Sequence, residues 1–226
     1  MLDGALLGRA SSHTTYNLCV EEQIPCRIVV EPQDYVEYVE TVPHNHLLTL
    51  DKNDQGIQYA RTWIKNYSKS QGESYHWQMD DDMKYFTMRM DDKNKRVNLL
   101  HSMSIIEQVF TIFENVAVGG MTSNAFAFSK PKPIKLNQLG YGCSIINNDF
   151  DQDWREGTVE DWDYTLRALE AKMCTMAFSH INFQTPSSGT NAGGNQLTDW
   201  ASVEKRKEFY DHFASLWPKN FRVVEL

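Results

Sequence analysis

Over residues 2–79 short apolar runs alternate with helical patterns, and the fourth apolar run stops on three consecutive aspartates. Residues 2–7 read as a first strand, followed by a turn-rich loop containing Arg9. Residues 14–22 form a helix with Thr14 or Thr15 as its cap. CRIVVEP (26–32) is a second strand closed by Pro32, QDYVEYVE (33–40) a short helix, and HLLTL (46–50) a third strand. In GIQYARTWIKNYSKS, Ile57, Ala60, Ile64 and Tyr67 recur at helical spacing. SYHWQM is the fourth strand. This alternation demands a parallel sheet covered by helices. Ligands of such sheets bind beyond the carboxyl ends of the strands. The polar residues standing there are Arg9, Glu31, Asp51, Asp80, Asp81 and Asp82.

The remainder is more mixed. KYFTMRMDDKNKRVNLL (84–100) reads as a hairpin with DDKNK at its tip, and residues 101–114 as a helix. VAVGG and AFAFS are short strands or loops, and KPKPIKLNQ is a basic, proline-bearing connection. GYGCSIINND leads into the acidic loop DFDQDW. VEDWDYTLRALEAK is a helix, with Leu166, Leu169 and Met173 expected along its inner side. MAFSHINFQ is a strand, TPSSGTNAGGNQ a glycine-rich loop, and residues 200–217 an amphipathic helix ending at Pro218. Neither a repeat nor a dividing linker is visible, so residues 1–226 are expected to form one α/β domain with a mixed central sheet flanked by helices.

A net charge of −8 argues against a broad polyanion-binding face. It leaves room for local basic patches at KNKR (93–96), KPKPIK (130–135) and KRK (205–207). No apolar run is long enough to span a bilayer, and residues 1–10 are too short and polar for a secretion signal. Cys19, Cys26, Cys143 and Cys174 are scattered without a CxxC, which points to reduced thiols and a cytoplasmic setting.

Three adjacent carboxylates repel, and burying them uncompensated costs several kcal/mol, roughly, per ion. A hard divalent cation, Mg²⁺ or Mn²⁺, relieves that cost, binding one or two carboxylates plus substrate phosphates. Side chains alternate along extended backbone, so Asp80 and Asp82 can share a direction. The alternative is a solvated acidic turn. Position decides for the metal–diphosphate site: the triplet ends an apolar, aromatic strand where the ligand crevice should lie.

A strand ending in Asp-Asp-Asp after about two βα units resembles the GT-A glycosyltransferases. The resemblance implies a Rossmann-like GT-A domain in which Asp80 and Asp82 hold a divalent cation and Asp81 touches the nucleotide sugar. VEDWDYTLRAL resembles the later Glu-Asp signature of inverting members, which implies Asp161 as catalytic base beside Glu160. Taken alone, that pair would read as acidic charge at a helix start. LLGRASSHTT, RIVVEPQDYVEYVE, LLTLDKNDQGIQYARTWI and YHWQMDDDMKYF are similar to the phage-encoded TET-associated glycosyltransferases, over roughly residues 5–185. That family implies a nucleotide-sugar donor, UDP-linked, and hydroxymethylated pyrimidine in DNA as acceptor. One departure is Leu6-Leu7, where the family carries a polar Pro-Ser. Residues 1–90 would then bind the nucleotide sugar and residues 91–226 the acceptor.

The resemblance also suggests roles for less distinctive residues. Arg9 and Arg61 suit a phosphate by their planar fork, although Arg61 reads equally as a surface helix residue. Glu31, Asp51 and Asn53 could read base or ribose, or simply turn the chain. His180 is either a further metal ligand or a packed histidine. Gly193 and Gly194 lie in a loop that is either a lid over the donor or a connection.

Other chemistries fit less of the chain. Asp149, Asp151, Asp153 and Glu160 mimic a calcium loop, but Trp154 occupies the position that needs glycine. A metal-dependent nuclease would explain Asp80, Asp81 and Asp82 without Glu160 and Asp161. A non-catalytic nucleotide- or DNA-binding module would be indifferent to loss of Asp161. A polysaccharide or small-molecule hydroxyl remains the alternative acceptor.

Overall fold

The computed structural model describes residues 4–7, 13–129, 132–140, 142–186 and 202–222. Four strands open the chain: β1 (Gly4–Leu7), β2 (Cys26–Val30), β3 (Leu47–Thr49) and β4 (Tyr75–Met79). They lie in the order β3-β2-β1-β4, all parallel, as the strand–helix alternation requires. The intervening helices are α1 (Thr14–Glu21), α2 (Tyr35–Tyr38) and α3 (Gly56–Ser70).

The second part adds β5 (Tyr85–Met90), β6 (Lys93–Val97), α4 (Leu99–Phe110), β7 (Val116–Ser123), β8 (Ile134–Leu136), β9 (Cys143–Asn147), α5 (Glu160–Glu170), β10 (Cys174–Gln184) and α6 (Val203–Leu216). One mixed sheet runs β3-β2-β1-β4-β9-β7-β10-β5-β6, with β8 also on β10. β9 pairs antiparallel with β4, placing Cys143 beside Met79. Although β5 follows β4 closely, it crosses to β10, antiparallel. The hairpin tip is tighter than DDKNK: Asp91 and Asp92 alone make the turn, at φ 50° and 58°, the left-handed pair that suits the twist of two strands.

The main core packs Trp77, Met79, Phe86, Met103, Ile106 and Phe178 between sheet and helices. α3 buries two stripes. Ala60 and Ile64 pack on Val29 and Leu50. Beside them Arg61, Lys65 and Ser68 are buried too, a polar stripe at i, i+4 and i+7. α5 departs from expectation. Its inner side is Tyr164 and Ala168, with Met173 packed nearby, whereas Leu166 and Leu169 are only partly covered. The helix is rotated because Tyr164 stacks on Trp154 (ring centroids 4.1 Å apart) and Asp163 is drawn inside. Arg155 pairs with the Asp163 carboxylate, which also accepts from Trp217 Nε1 at 2.8 Å, docking the end of α6. The four cysteines are free thiols. No helix among the described residues is long and apolar enough to cross a membrane.

Candidate functional site

The aspartates form the turn that leaves β4. Thr15 builds that turn from α1: its Oγ1 donates to the Asp80 carbonyl (2.6 Å) and accepts from Met83 N (3.0 Å), and its own N–H donates to the Asp81 carbonyl (3.1 Å). Thr15 is therefore not the helix cap: the cap position is His13, without a side-chain bond. On the other flank Asp80 N–H donates to the Gly142 carbonyl at 2.8 Å. Gly142 has φ +73°, and a Cβ there would meet Asp80 Oδ2 at 3.3 Å and Phe183 Cζ at 2.8 Å.

Arg61 joins this turn to the start of α5. Its Nη2 lies 3.6 Å from Asp80, 3.9 Å from Glu160 and 3.8 Å from Asp161. At 4% exposure it is no surface residue. Its position is the buried polar stripe of α3, so its guanidinium reaches the carboxylates from below. Arg61 Nε has no hydrogen-bond partner, while Nη1 faces Gln78 Oε1 at 3.4 Å. Gln78 Nε2 donates to the Arg61 carbonyl and to His76 Nε2. His76 Nδ1–H in turn donates to Asn148 Oδ1 at 2.7 Å. Burial, foremost, holds the His76 pKa down at about 4, so this relay behind the site is neutral.

The carboxylates are strained electrostatically. Removal from water raises the Asp161 carboxyl above its ordinary value, Glu160 and Asp80 add to the rise, and Arg61 opposes it. Asp80 is pushed up to about 6, by desolvation first; Arg61 opposes this, and Asp82, Glu160 and Asp81 reinforce it. Its side chain is nevertheless 41% exposed, at the mouth of the site.

The other strand ends gather separately. Gln33 bridges the ends of β2 and β3: its backbone N–H donates to Asn53 Oδ1 (3.0 Å), and its amide to Glu31 Oε2 (2.7 Å) and Asp54 Oδ1 (3.1 Å). Asp51 accepts from the Tyr59 hydroxyl. Two groupings thus lie along the carboxyl edge of the parallel strands, one around Arg61 and one around Gln33.

His180 sits half-buried in the bulge of β10 between Phe178 and Asn182. Arg9, Gly193 and Gly194 lie outside the described residues. Thr15, Gln33, Gln78 and Gly142 are site residues that the sequence pattern does not single out. Only Gln78 carries a signal, as an amide inside an apolar strand.

Among the described residues no three His, Cys, Asp or Glu side chains converge into a ready ligand set. What Asp80 and Asp82 offer is carboxylate oxygen at an accessible turn, the donor set of a cation shared with a substrate's phosphates.

A family model described as TET-Associated Glycosyltransferase matches residues 7–194. No curated protein matches. Among solved structures, apo- UDP-glucose pyrophosphorylase aligns over 98% of this chain and 100% of its own, at 11% identity and a TM-score of 0.49. GalNAc-T7 with UDP, GalNAc and Mn²⁺ aligns over 99% of this chain at 9% identity and a TM-score of 0.53. This chain spans about half the length of GalNAc-T7, covering 52% of it. The second likeness is one of fold: the mixed sheet flanked by helices is the GT-A arrangement.

Proposed function

This chain belongs to the TET-associated glycosyltransferase family, and on that premise we propose that it moves a sugar from a UDP-linked donor to the hydroxyl of a 5-hydroxymethylpyrimidine in DNA, with inversion. The observation that carries the reading is the convergence on Arg61 of a strand-end aspartate, Asp80, and a helix-start pair, Glu160 and Asp161.

Asp161 takes the proton from the acceptor hydroxyl. A carboxylate whose proton affinity is raised is a better base near neutral pH than an ordinary one. The hydroxyl oxygen bonds to the anomeric carbon as the bond from that carbon to the diphosphate breaks. The electron pair leaves with the diphosphate, and a single displacement inverts the centre. The transition state is oxocarbenium-like. Arg61 keeps the three carboxylates together and favours the ionised form of Asp161 against the burial that raises its proton affinity. Glu160 opposes that ionisation and so sharpens the base.

Asp80 and Asp82 would hold Mn²⁺ or Mg²⁺, and His180 is a further candidate ligand. A divalent cation bound there supplies charge neutralisation to the leaving diphosphate. Support comes from the GT-A fold, since the GalNAc-T7 structure was solved with UDP and Mn²⁺. Glu31, Asp51, Asn53 and Asp81 face the nucleotide in this reading, with Gln33 fixing Glu31 and Asn53. Arg9 belongs to the same subsite, and Gly193 and Gly194 to a lid. Residues 1–90 supply most of the donor site and residues 91–226 the acceptor side.

The test incubates the protein with Mn²⁺ or Mg²⁺, a panel of UDP-sugars and DNA containing 5-hydroxymethylcytosine, and weighs the digested nucleosides. A hexose-sized gain lost in Asp82→Ala and Asp161→Ala is the expected result. UDP release without nucleoside gain would move the acceptor to a polysaccharide or small-molecule hydroxyl. Neither gain nor UDP with any sugar would overturn the reading.

A further inference from the structure

The β5–β6 hairpin is a basic element in an acidic chain. Lys84, Arg89, Lys93, Lys95 and Arg96 stand there against Asp91 and Asp92, in a protein of net charge −8. The basic run on α6 differs. Lys205, Arg206 and Lys207 share their helix with Glu204, Glu208 and Asp211, and Lys207 pairs with Asp211 at 2.7 Å.

Placement gives the hairpin its meaning. β5 begins just past the aspartate turn and leads away from it. Its pairing with β10 covers only Tyr85 to Met88. Beyond that, residues 89–94 continue as a two-stranded ribbon. At about 3.4 Å per residue, the length of β5 puts the hairpin tip on the order of 17 Å from Tyr85. At the end nearest the site, the Arg96 guanidinium lies 3.2 Å from the centre of the Tyr85 ring. Lys84, Lys93, Lys95 and Arg96 are exposed. The tip aspartates are occupied internally, Asp92 by Arg89 at 2.9 Å and Asp91 by Lys95 at 3.9 Å.

Lysines on an edge strand commonly guard it against pairing with another sheet. That accounts for Lys93 and Lys95 on β6. It gives no reason for Lys84, which stands just before β5 with its backbone N–H on the Gln184 carbonyl at 2.7 Å; Arg89 is held by Asp92.

We infer that the β5–β6 hairpin is the arm that holds a DNA duplex, its cations on the phosphates, so that a pyrimidine is delivered to the carboxylates at the arm's base. This rests on the DNA-acceptor reading above. A two-stranded ribbon is one of the elements a major groove admits, and the C5 substituent of a pyrimidine opens into that groove.

The experiment uses the triple variant Lys84→Gln/Lys93→Gln/Lys95→Gln. Fluorescence anisotropy across a salt series measures its binding to a 5-hydroxymethylcytosine duplex, and acceptor-free UDP release from the UDP-sugar measures its donor site. Each lysine charge taken away from a phosphate should flatten the slope of log K against log salt by about 1, so a change of about 3 is expected. KM for the duplex should rise by on the order of tenfold, with UDP release and thermal midpoint unchanged. A matching Gln triple at residues 205–207 should leave the slope as it was. An unchanged slope and duplex KM in the hairpin variant, beside a wild type that modifies the duplex, would overturn the arm alone. A wild type that releases UDP but leaves the duplex unmodified would bring down the acceptor reading and the arm with it.

Discussion

Thr15 and Asp80, 65 positions apart, are joined by a 2.6 Å hydrogen bond from the threonine hydroxyl to the aspartate carbonyl. With the bond that the same oxygen accepts from Met83 N, it clamps both ends of the acidic turn. Carboxylates that repel cannot shape their own loop, so α1 shapes it for them. Thr15→Val keeps the side-chain volume and removes both bonds. Two buried backbone groups then lose their partner, at about 1–3 kcal/mol each at most. Urea unfolding should show a loss in that range, and KM for the donor should rise. Thr15→Ser should recover most of both. A valine variant with the wild-type donor KM would mean that the turn holds itself.

Asp80 gives the free protein a pH dependence that a cation should reverse. Its folded pKa, about 6, lies above the ordinary aspartate value. Between those values the folded state binds more protons than the unfolded chain, so this group's contribution falls as pH rises through the window. His76, held down at about 4, works the other way: its contribution is lost as pH falls below the ordinary histidine value. Comparison with Asp80→Asn separates the two. In chelator, the wild-type thermal midpoint should fall relative to Asp80→Asn from pH 5 to pH 7.5. Millimolar Mn²⁺ should raise the wild-type midpoint at pH 7.5 and scarcely at pH 5, where protons compete. A Mn²⁺ shift of equal size at both pH values would separate Asp80 from the metal.

Arg61 and Asp161 should be visible together in the pH–rate profile. Arg61 is the positive charge opposing the rise in the Asp161 pKa. The active form of a base is the ionised one, so the rate falls as pH drops through that pKa. Arg61→Gln removes the opposing charge and should move the acid limb of kcat upward by about 1 pH unit or more. Asp161→Asn should lower kcat by about 10²–10⁴-fold on the plateau above that pKa and remove the acid limb. An acid limb that stays in place in Arg61→Gln would assign it to another group.

Local pattern carried much of this fold into the sequence, and pairing across distance carried the rest. The four opening strands and their helices are legible because each is set by its own apolar period. The order β10-β5-β6 is not, since nothing in KYFTMRM says that it leaves its neighbour β4. β7 is obscured by its glycines, which let VAVGG read as strand or loop. The strand needs them because a Cβ on Gly120 would lie 2.5 Å from the Gly140 Cα. In the site, the carboxylates announce themselves by clustering. Arg61 could be read as surface or as phosphate ligand because its stripe on α3 is polar, and polar stripes normally face water. Only the carboxylates on the far side reveal why this one is buried.

Gly142 offers the most direct way to disturb Asp80 without touching a charge. Its φ of +73° is a conformation that any Cβ penalises, and the same Cβ would press on Phe183 Cζ at 2.8 Å and on Asp80 Oδ2 at 3.3 Å. Gly142→Ala therefore combines backbone strain, about 1–2 kcal/mol, with crowding of the proposed metal-binding carboxylate. Gly72 separates the two effects. It has φ +77° and nothing within 4 Å of the position a Cβ would take. Gly72→Ala should cost the strain alone and leave turnover untouched. Gly142→Ala should cost more in urea unfolding and also raise the Mn²⁺ concentration needed for half-maximal UDP release. Equal losses in the two variants, with the same Mn²⁺ requirement, would show that the β4–β9 junction gives way around a methyl group and that Gly142 serves the backbone only.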